Sequence, residues 1–275
     1  MRERGLSAGP PLGPRVRALG LELAHFTAKE AQACWFAGLF FAAVLCMPRT
    51  GLLGLPRYDA LLLVALVIQG WMLWSGRETW DELKAISVFH LLGFALEVFK
   101  TSAGIRSWSY PDFAYSKLLG VPLFAGFMYA AVGSYIIQAW RLFRLRVEHH
   151  PPYWMAGLVA AALYLNFFTH HFIGDHRWLL AALALGLYAR AQVVFTPHRV
   201  ERRMPLALAL VLIGFFIWLA ENLGTFLGLW AYPHQLGAWA VVHLSKWSAW
   251  TLLVLMSFTL VTNLKHIKAT VQVPP

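Results

Sequence analysis

Long apolar segments alternate with short segments rich in charge, proline and glycine along the whole chain. A helix that spans a membrane needs about 20 mostly apolar residues. The connecting segments, such as PRTGLLGLPR and SGRETWDE, are too short to hold a further domain. The predicted fold class is therefore all-α, a polytopic membrane helix bundle. Eight transmembrane helices are predicted, at residues 31–48, 58–76, 83–103, 118–142, 153–172, 177–196, 204–227 and 237–263.

These helices are predicted to form a single transmembrane domain, residues 31–268, with a first half at 31–145 and a second half at 153–268. Residues 1–30 are basic and contain no long apolar core and no small-residue cleavage site. They are therefore not a secretory signal peptide, and we interpret them as a tail that leads into an interfacial helix. Residues 269–275 are interpreted as a C-terminal tail.

The composition agrees with a membrane protein. The chain is 59% hydrophobic and 13% charged, whereas soluble domains carry about 25% charged residues. The net charge of +10 is high, but the basic residues separate apolar segments instead of forming one continuous surface. We therefore expect membrane lipids, and no nucleic acid, as partners.

The distribution of lysine and arginine predicts the orientation in the membrane. If the eight helices alternate in direction, one side carries both termini and sixteen of these residues, and the other side carries six. Cytoplasmic loops hold the excess of positive charge. The sequence therefore predicts a multi-pass protein of the bacterial cytoplasmic (inner) membrane with both termini in the cytoplasm.

One sequence motif, which we call the repeated phrase, occurs twice near the ends of predicted helices. Residues 97–111 read EVFKTSAGIRSWSYP, and residues 221–233 read ENLGTFLGLWAYP. Each copy has Glu, then Thr four residues later, then Gly three later, and then Trp-x-Tyr-Pro. The two copies close the third and seventh predicted helices, which run in the same direction, so they indicate a parallel repeat of four plus four helices. The alternative for the Trp and Tyr residues is ordinary enrichment at the membrane interface.

The carboxylates of Glu97 and Glu221 are the main candidates for chemistry. An ionised carboxylate in hydrocarbon is costly, so such a residue faces a bundle interior and is a functional candidate by default. We expect the two to act as acid and base, with His90, His170 and Lys246 adjusting them. The predicted eighth helix places Lys246 about 13 Å from the helix end, within reach of Glu221. The alternative to a chemical role for these two residues is a buried ion pair that only fixes the register of the helices.

Other polar and aromatic residues at similar depth are predicted to contact a substrate. The hydroxyls of the two threonines among them lie one turn from the carboxylates and are expected to hydrogen-bond the Glu side chains. The predicted substrate-binding residues are Trp108, Tyr110, Trp230, Tyr232, Asn166, Thr101 and Thr225.

The segment HHFIGDHRW brings four potential metal ligands together, His170, His171, Asp175 and His176. Their spacing matches no established zinc or di-iron site, so no metal is expected. The chain also has no phosphate-binding glycine loop and no G-x-S-x-G elbow. No cofactor is therefore predicted.

The segment LEVFKTSAGIRSWSYPDFAYSKLLGVPLFAGFMYAAVGSYIIQAWRLF, followed by NFFTHHFIGDHRW, resembles a family of bacterial integral membrane proteins known as domain of unknown function 817. This resemblance covers nearly the whole chain and implies the membrane class. A weaker resemblance links Glu97, Gly104, Trp108, Tyr110 and the GVPL segment to membrane carotenoid hydratases and small lycopene cyclases. It implies that a carboxylic acid protonates an isoprenoid double bond.

Three hypotheses for function follow. The first is an intramembrane acid–base enzyme that acts on an apolar isoprenoid or lipid substrate. The second is a proton-coupled transporter or carrier, since parallel repeats with one titratable group in each half suit alternating access. The third is a non-catalytic membrane scaffold whose polar groups hold helices together. A cavity closed toward the cytoplasm favours the enzyme, a path to both faces favours transport, and the absence of a cavity favours the scaffold.

Overall fold

The computed structural model describes residues 12–272, with side chains described over residues 16–267. Within these residues nine α-helices are joined by connections that contain five short strands. The helices are α1 (Leu12–Ala33), α2 (Trp35–Cys46), α3 (Arg57–Trp74), α4 (Trp80–Thr101), α5 (Phe124–Leu142), α6 (Tyr153–Thr169), α7 (Arg177–Leu187), α8 (Leu206–Phe226) and α9 (Ser245–Gln272). The strands are β1 (Lys117–Leu118), β2 (Val121–Pro122), β3 (Arg146–Glu148), β4 (Gln192–Phe195) and β5 (Arg202–Pro205).

The bundle has two distinct ends. Strands β3, β4 and β5 form an antiparallel sheet in that order, where α5 ends and α8 begins, and we call this the sheet end. At the other end, which we call the turn end, the two Trp-x-Tyr-Pro segments follow α4 and α8. Both helices therefore run from the sheet end to the turn end.

Three helices are long and apolar enough to cross a membrane, namely α3, α8 and the Ser245–Ile267 part of α9. The pair Val16–Ala33 and Trp35–Cys46, bent by 71°, adds a fourth span if it is counted as one. Several apolar helices thus indicate a membrane protein, as predicted. Eight spans and a four-plus-four repeat are not confirmed, because α6 has 17 residues, α7 has 11, and α4 carries charges at both ends.

Four of the predicted helices differ in the structure. The predicted helix 31–48 is broken at Cys34, between α1 and α2, with a bend of 71°. The predicted helix 118–142 begins only at Phe124, because β1 and β2 form a hairpin first. Leu119 and Gly120 both have positive φ at its tip, as a tight hairpin turn requires. The predicted helix 177–196 ends at Leu187, because the β-branched Val193 and Val194 pair in the sheet instead.

The predicted helix 237–263 begins at Ser245. Side chains of α8 hold the preceding segment in a non-helical path: the amide of Asn222 accepts a hydrogen bond from the N–H of Val242 at 2.9 Å, and Trp218 donates to the Val242 carbonyl at 3.2 Å. Lys246 therefore lies in the first turn of α9, so its predicted position nine residues into a helix is wrong.

Close packing of α4 against α5 positions the site. A Cβ added at Gly93 would lie 2.2 Å from the ring of Tyr129, and one added at Gly133 would lie 2.4 Å from the ring of Phe89. Glycine at these two positions therefore lets an aromatic side chain of the opposite helix contact the backbone. As a result the Tyr129 hydroxyl reaches the carboxylate of Glu97, one turn further along the same face of α4.

Candidate functional site

Glu97 is 3% exposed and is held by three hydrogen-bond donors. The indole of Trp108 and the hydroxyl of Tyr110 donate to Oε2 at 2.7 and 2.8 Å. The hydroxyl of Tyr129, from α5, donates to Oε1 at 2.8 Å. Hydrogen bonds to a charged acceptor are stronger than those between neutral groups. The three donors therefore fix the position of a carboxylate inside an apolar bundle.

Glu221 is 4% exposed and has a matching environment. The hydroxyl of Tyr232 donates to Oε1, and the indole of Trp250, from α9, donates to Oε2 at 2.6 Å. Each carboxylate is thus bound by the Tyr of its own Trp-x-Tyr-Pro segment and by an aromatic residue of the next helix.

The two Trp-x-Tyr-Pro segments pair with each other. Ser109 and Ala231, the central residues of the two segments, exchange backbone hydrogen bonds of 2.9 and 3.0 Å as an isolated antiparallel bridge. The ring of Trp108 also lies edge-on to that of Tyr232, with centroids 6.0 Å apart. Both carboxylate sites therefore lie side by side at the turn end.

A cavity of about 920 Å³ extends between the two carboxylates. Its lining reaches from Ser107 and Arg177 at the turn end to Glu30 and Phe195 toward the sheet end. Most of the lining side chains are apolar residues of α1, α2, α4, α5, α8 and α9. This volume falls in the range of small-molecule sites, which are mostly apolar with a few placed polar groups.

Three basic side chains line the cavity at the turn end. Lys100 is 5% exposed, and its ammonium lies 2.8 Å from Nε2 of His171 and 3.3 Å from Nε2 of His170. Lys246 lies over the rings of Trp108 and Tyr232, 5.2 and 4.6 Å from their centroids. Arg177 is the third basic residue.

The loop between α6 and α7 is ordered by Asp175 and Asn166. Asp175 accepts hydrogen bonds from the backbone N–H of Arg177 at 2.9 Å and from the Asn166 amide at 3.2 Å. Burial alone would raise the pKa of Asp175, but these bonds and the Arg177 charge hold it below its usual range. Burial and the neighbouring Lys100 ammonium lower the pKa of His171 to about 4.

Several predicted site residues line the cavity, and three of them, Trp108, Tyr110 and Tyr232, contact a carboxylate, which the sequence did not predict. Trp108 and Tyr232 line the cavity and bind Glu97 and Glu221, respectively. Tyr110, Trp230, His170 and Lys246 also line it. Lys246 makes no ion pair with Glu221 within 4 Å in the described part of the chain, so the alternative of a register-fixing pair finds no support there.

Other predicted roles differ in the structure. The hydroxyls of Thr101 and Thr225 donate to the backbone carbonyls of Glu97 and Asn222, since a helical hydroxyl reaches the preceding turn more readily than a side chain above it. They do not bind the carboxylates. His90 packs 4.7 Å from the ring of Phe127, because Gly126 leaves room for it there, and it does not line the cavity.

Asn166 also differs from its predicted role. Its amide binds Asp175, and its carbonyl oxygen accepts the N–H of His176 at 3.1 Å. It therefore holds the loop and does not contact the cavity.

The histidine cluster has no metal-binding arrangement among the described residues, where no group of three His, Cys, Asp or Glu side chains converges. The Nε2 atoms of His170 and His171 face an ammonium group. The absence of a metal stays a prediction.

Four residues of the site were missed from the sequence: Tyr129, Trp250, Lys100 and Arg177. Tyr129 lies within the apolar segment FAGFMYAAV, where a single Tyr is not distinctive. Lys100 lies within the repeated phrase itself, three residues after Glu97, and a lysine inside an apolar helix end was an available signal.

Apolar helices of spanning length around a cavity indicate that this protein belongs to the class of helical membrane proteins. A model of the family described as "Protein of unknown function (DUF817)" matches residues 22–258. The chain therefore belongs to the DUF817 family, and the resemblance read from the sequence is confirmed.

A curated relative from Bacillus subtilis (strain 168), named "Uncharacterized protein YoaT", is 48% identical over 247 residues. The match covers 90% of this chain and 93% of the relative. No solved structure matches the chain. The weaker resemblance to carotenoid hydratases and lycopene cyclases is not shown by any match.

Proposed function

We propose that this protein is an intramembrane acid–base enzyme that acts on an apolar isoprenoid or lipid substrate. The observation that carries the proposal is that Glu97 and Glu221, each fixed by aromatic donors, line one cavity that is otherwise mostly apolar. Two carboxylates at one end of a mostly apolar cavity can hold and exchange protons next to a substrate that carries no charge of its own at the reacting carbons.

The proposed reaction moves protons and needs no oxidant or reductant. One carboxylic acid gives its proton to a carbon of a double bond, and the electron pair of that bond forms the new C–H bond. A neighbouring carbon then loses a proton to the other carboxylate, and its C–H electrons form a new double bond. The faces of Trp108, Trp230 and Trp250, which line the cavity, can stabilise the intermediate cation.

The positions of the aromatic donors support an internal duplication. Tyr110 and Tyr232 occupy the same place in the two phrases, and Tyr129 and Trp250 each lie in the helix that follows. We propose that the two halves form a parallel repeat whose turn end faces away from the cytoplasm. The excess of lysine and arginine on the opposite side supports this orientation.

A proton-coupled carrier is the second candidate. It is favoured by one observation, the extent of the cavity from Ser107 at the turn end to Phe195 toward the sheet end, which suits a path that can open at either face. A cavity of this size weakens the third hypothesis, a scaffold, because polar groups that only hold helices together do not require a cavity between them.

The test compares lipid extracts from a deletion strain that carries wild-type protein or the variants Glu97→Gln and Glu221→Gln. We expect an apolar compound to accumulate in the deletion strain and in both variants, at unchanged protein abundance. Glu78→Gln is the matched control, because Glu78 is also buried and accepts a hydrogen bond from Gln69 but lies outside the cavity lining.

The outcomes separate the candidates. Full complementation by both Glu→Gln variants would mean that the carboxylates are structural. Transfer of an unmodified lipid across the membrane of reconstituted vesicles, lost in either variant, would favour the carrier.

A further inference from the structure

The charges at the turn end of the cavity come from three separate elements. Lys100 is near the end of α4, Arg177 begins α7, and Lys246 is in the first turn of α9. All three side chains line the same cavity and lie close enough for their charges to interact. Chain segments distant in sequence therefore bring three positive charges to one place.

These charges are only partly balanced by their neighbours. Arg177 makes an ion pair of 3.3 Å with Asp175. In the part of the chain that the structure describes, no carboxylate oxygen lies within 4 Å of the ammonium of Lys100 or Lys246. Glu97 and Glu221 face aromatic donors instead.

The contacts of Lys100 are with uncharged rings. His170 donates its Nδ1–H to the carbonyl of Asn166 at 2.8 Å, which leaves its Nε2 as an acceptor for Lys100. His171 accepts at 2.8 Å in the same way. A buried ammonium that has only neutral acceptors retains a large cost of desolvation, and an anion beside it would lower that cost.

The rest of the cavity imposes a second condition. Beyond the basic residues its lining is dominated by side chains such as Leu210, Ile213, Phe216 and Leu253. A free ion would leave this apolar volume unfilled, and a neutral hydrocarbon would leave Lys100 and Lys246 without an anionic partner. A molecule with an anionic head and a long apolar chain satisfies both.

We propose that the cavity binds an amphiphile with a phosphate-type head group, which Lys100, Arg177 and Lys246 hold while its apolar chain passes Glu97 and Glu221. The guanidinium of Arg177 supplies a planar pair of N–H donors that matches phosphate oxygens, and the two ammonium groups add charge. This inference rests on the proposed function in one respect, since it names the substrate class of the same cavity. The three basic residues favour a charged lipid as substrate over a neutral carotenoid.

Binding is measured on purified full-length protein in nanodiscs by tryptophan fluorescence, with farnesyl phosphate, farnesol and inorganic phosphate as probes. We expect farnesyl phosphate to bind at least ten-fold more tightly than farnesol, and inorganic phosphate to compete only weakly. Because a hydrogen bond to a charged group contributes about 1.5–3 kcal/mol, Lys246→Gln should weaken farnesyl phosphate binding about ten- to hundred-fold.

Further variants separate recognition from folding. Lys246→Arg keeps the charge and should bind within a few-fold of wild type. Arg177→Gln should weaken binding as Lys246→Gln does, whereas Arg106→Gln, which removes an exposed cation outside the cavity lining, should have no effect. The thermal midpoint of each variant is measured, and binding is compared only among variants whose midpoints equal that of the wild type. A loss of binding in such a variant is then not caused by a loss of fold.

Equal affinity for farnesol and farnesyl phosphate would overturn the inference and leave the proposed enzyme untouched. Equally strong binding of inorganic phosphate would make this a free-anion site and also overturn it. Charge-dependent binding of farnesyl phosphate together with full complementation by Glu97→Gln and Glu221→Gln would instead support the inference and contradict the proposed enzyme.

Discussion

Replacing Tyr129 with Phe tests whether aromatic donors stabilise a charged carboxylate inside the bundle. The Phe ring keeps the packing against Gly93 and removes only the hydroxyl that donates to Oε1 of Glu97 at 2.8 Å. Among the described residues no other donor reaches that oxygen. The variant therefore leaves one oxygen of a buried carboxylate without a partner.

The expected cost follows from this geometry. Loss of a hydrogen bond to a charged group costs about 1.5–3 kcal/mol. With about 2–4 °C per kcal/mol for chains of similar size, the thermal midpoint should fall by about 3–12 °C. Tyr164→Phe is the matched control, since its hydroxyl donates to the neutral carbonyl of Leu92 near the surface at 3.1 Å, and we expect a cost below about 1 kcal/mol.

The assay is thermal unfolding in nanodiscs, completed as a double-mutant cycle with Glu97→Gln. In the Glu97→Gln variant the side-chain amide can donate a hydrogen bond to the Tyr129 hydroxyl, whereas the carboxylate only accepts one. The effects of the two substitutions on the free energy of unfolding should therefore depart from additivity by about 1 kcal/mol or more. A Tyr129→Phe midpoint equal to wild type, with no coupling to Glu97→Gln, would refute the idea that these donors hold an ionised carboxylate.

Three further predictions concern packing, pH and orientation. Gly93→Ala places a Cβ 2.2 Å from the ring of Tyr129, so it should destabilise by at least about 1–3 kcal/mol in the same unfolding assay, whereas a midpoint near wild type would show that α5 can move away. Burial lowers the pKa of His171 to about 4. The unfolded chain therefore binds a proton that the folded protein does not, and stability that is full above pH ~6.5 should fall toward pH 4. His171→Gln should reduce this fall, and an unchanged pH profile of the midpoint would contradict the assignment. In a cysteine-free background, the cysteine of Leu53→Cys, at a position that is 94% exposed, should react with an impermeant thiol reagent on intact spheroplasts. The cysteine of Val200→Cys should react only after lysis. The reverse pattern of labelling would invert the orientation.

The repeated phrase predicted the carboxylate sites better than it predicted their partners. Trp108 and Tyr232 lie 11 residues after their Glu residues, beyond the helix ends. Helical spacing predicted Thr101 and Thr225 as the partners instead, because it does not describe the path of the chain after a helix ends. Tyr129 and Trp250 belong to the following helices, so their contacts depend on which helices are neighbours and how closely they pack. The glycines that permit this packing carry no signal of their own in one sequence.

The ends of some helices could likewise be predicted from the sequence, whereas the ends of others depend on contacts between distant segments. The apolar pattern located α3 and α8 closely, because their apolar segments are long and end at proline, glycine or charge. It failed at residues 177–196 and 237–263, where strand pairing and side-chain hydrogen bonds from α8 override local preference. An apolar segment alone does not distinguish a helix from an extended segment held by such contacts.

The bridge between Ser109 and Ala231 also bears on how the protein is made. Its two partners are far apart in sequence, so the first Trp-x-Tyr-Pro segment leaves the ribosome well before the second exists. The face of Trp108 that later contacts Tyr232 and Lys246 must stay uncovered during that interval. The bridge can therefore form only after the second segment has been synthesised, and a fragment of residues 1–145 should expose this surface and self-associate or bind chaperones.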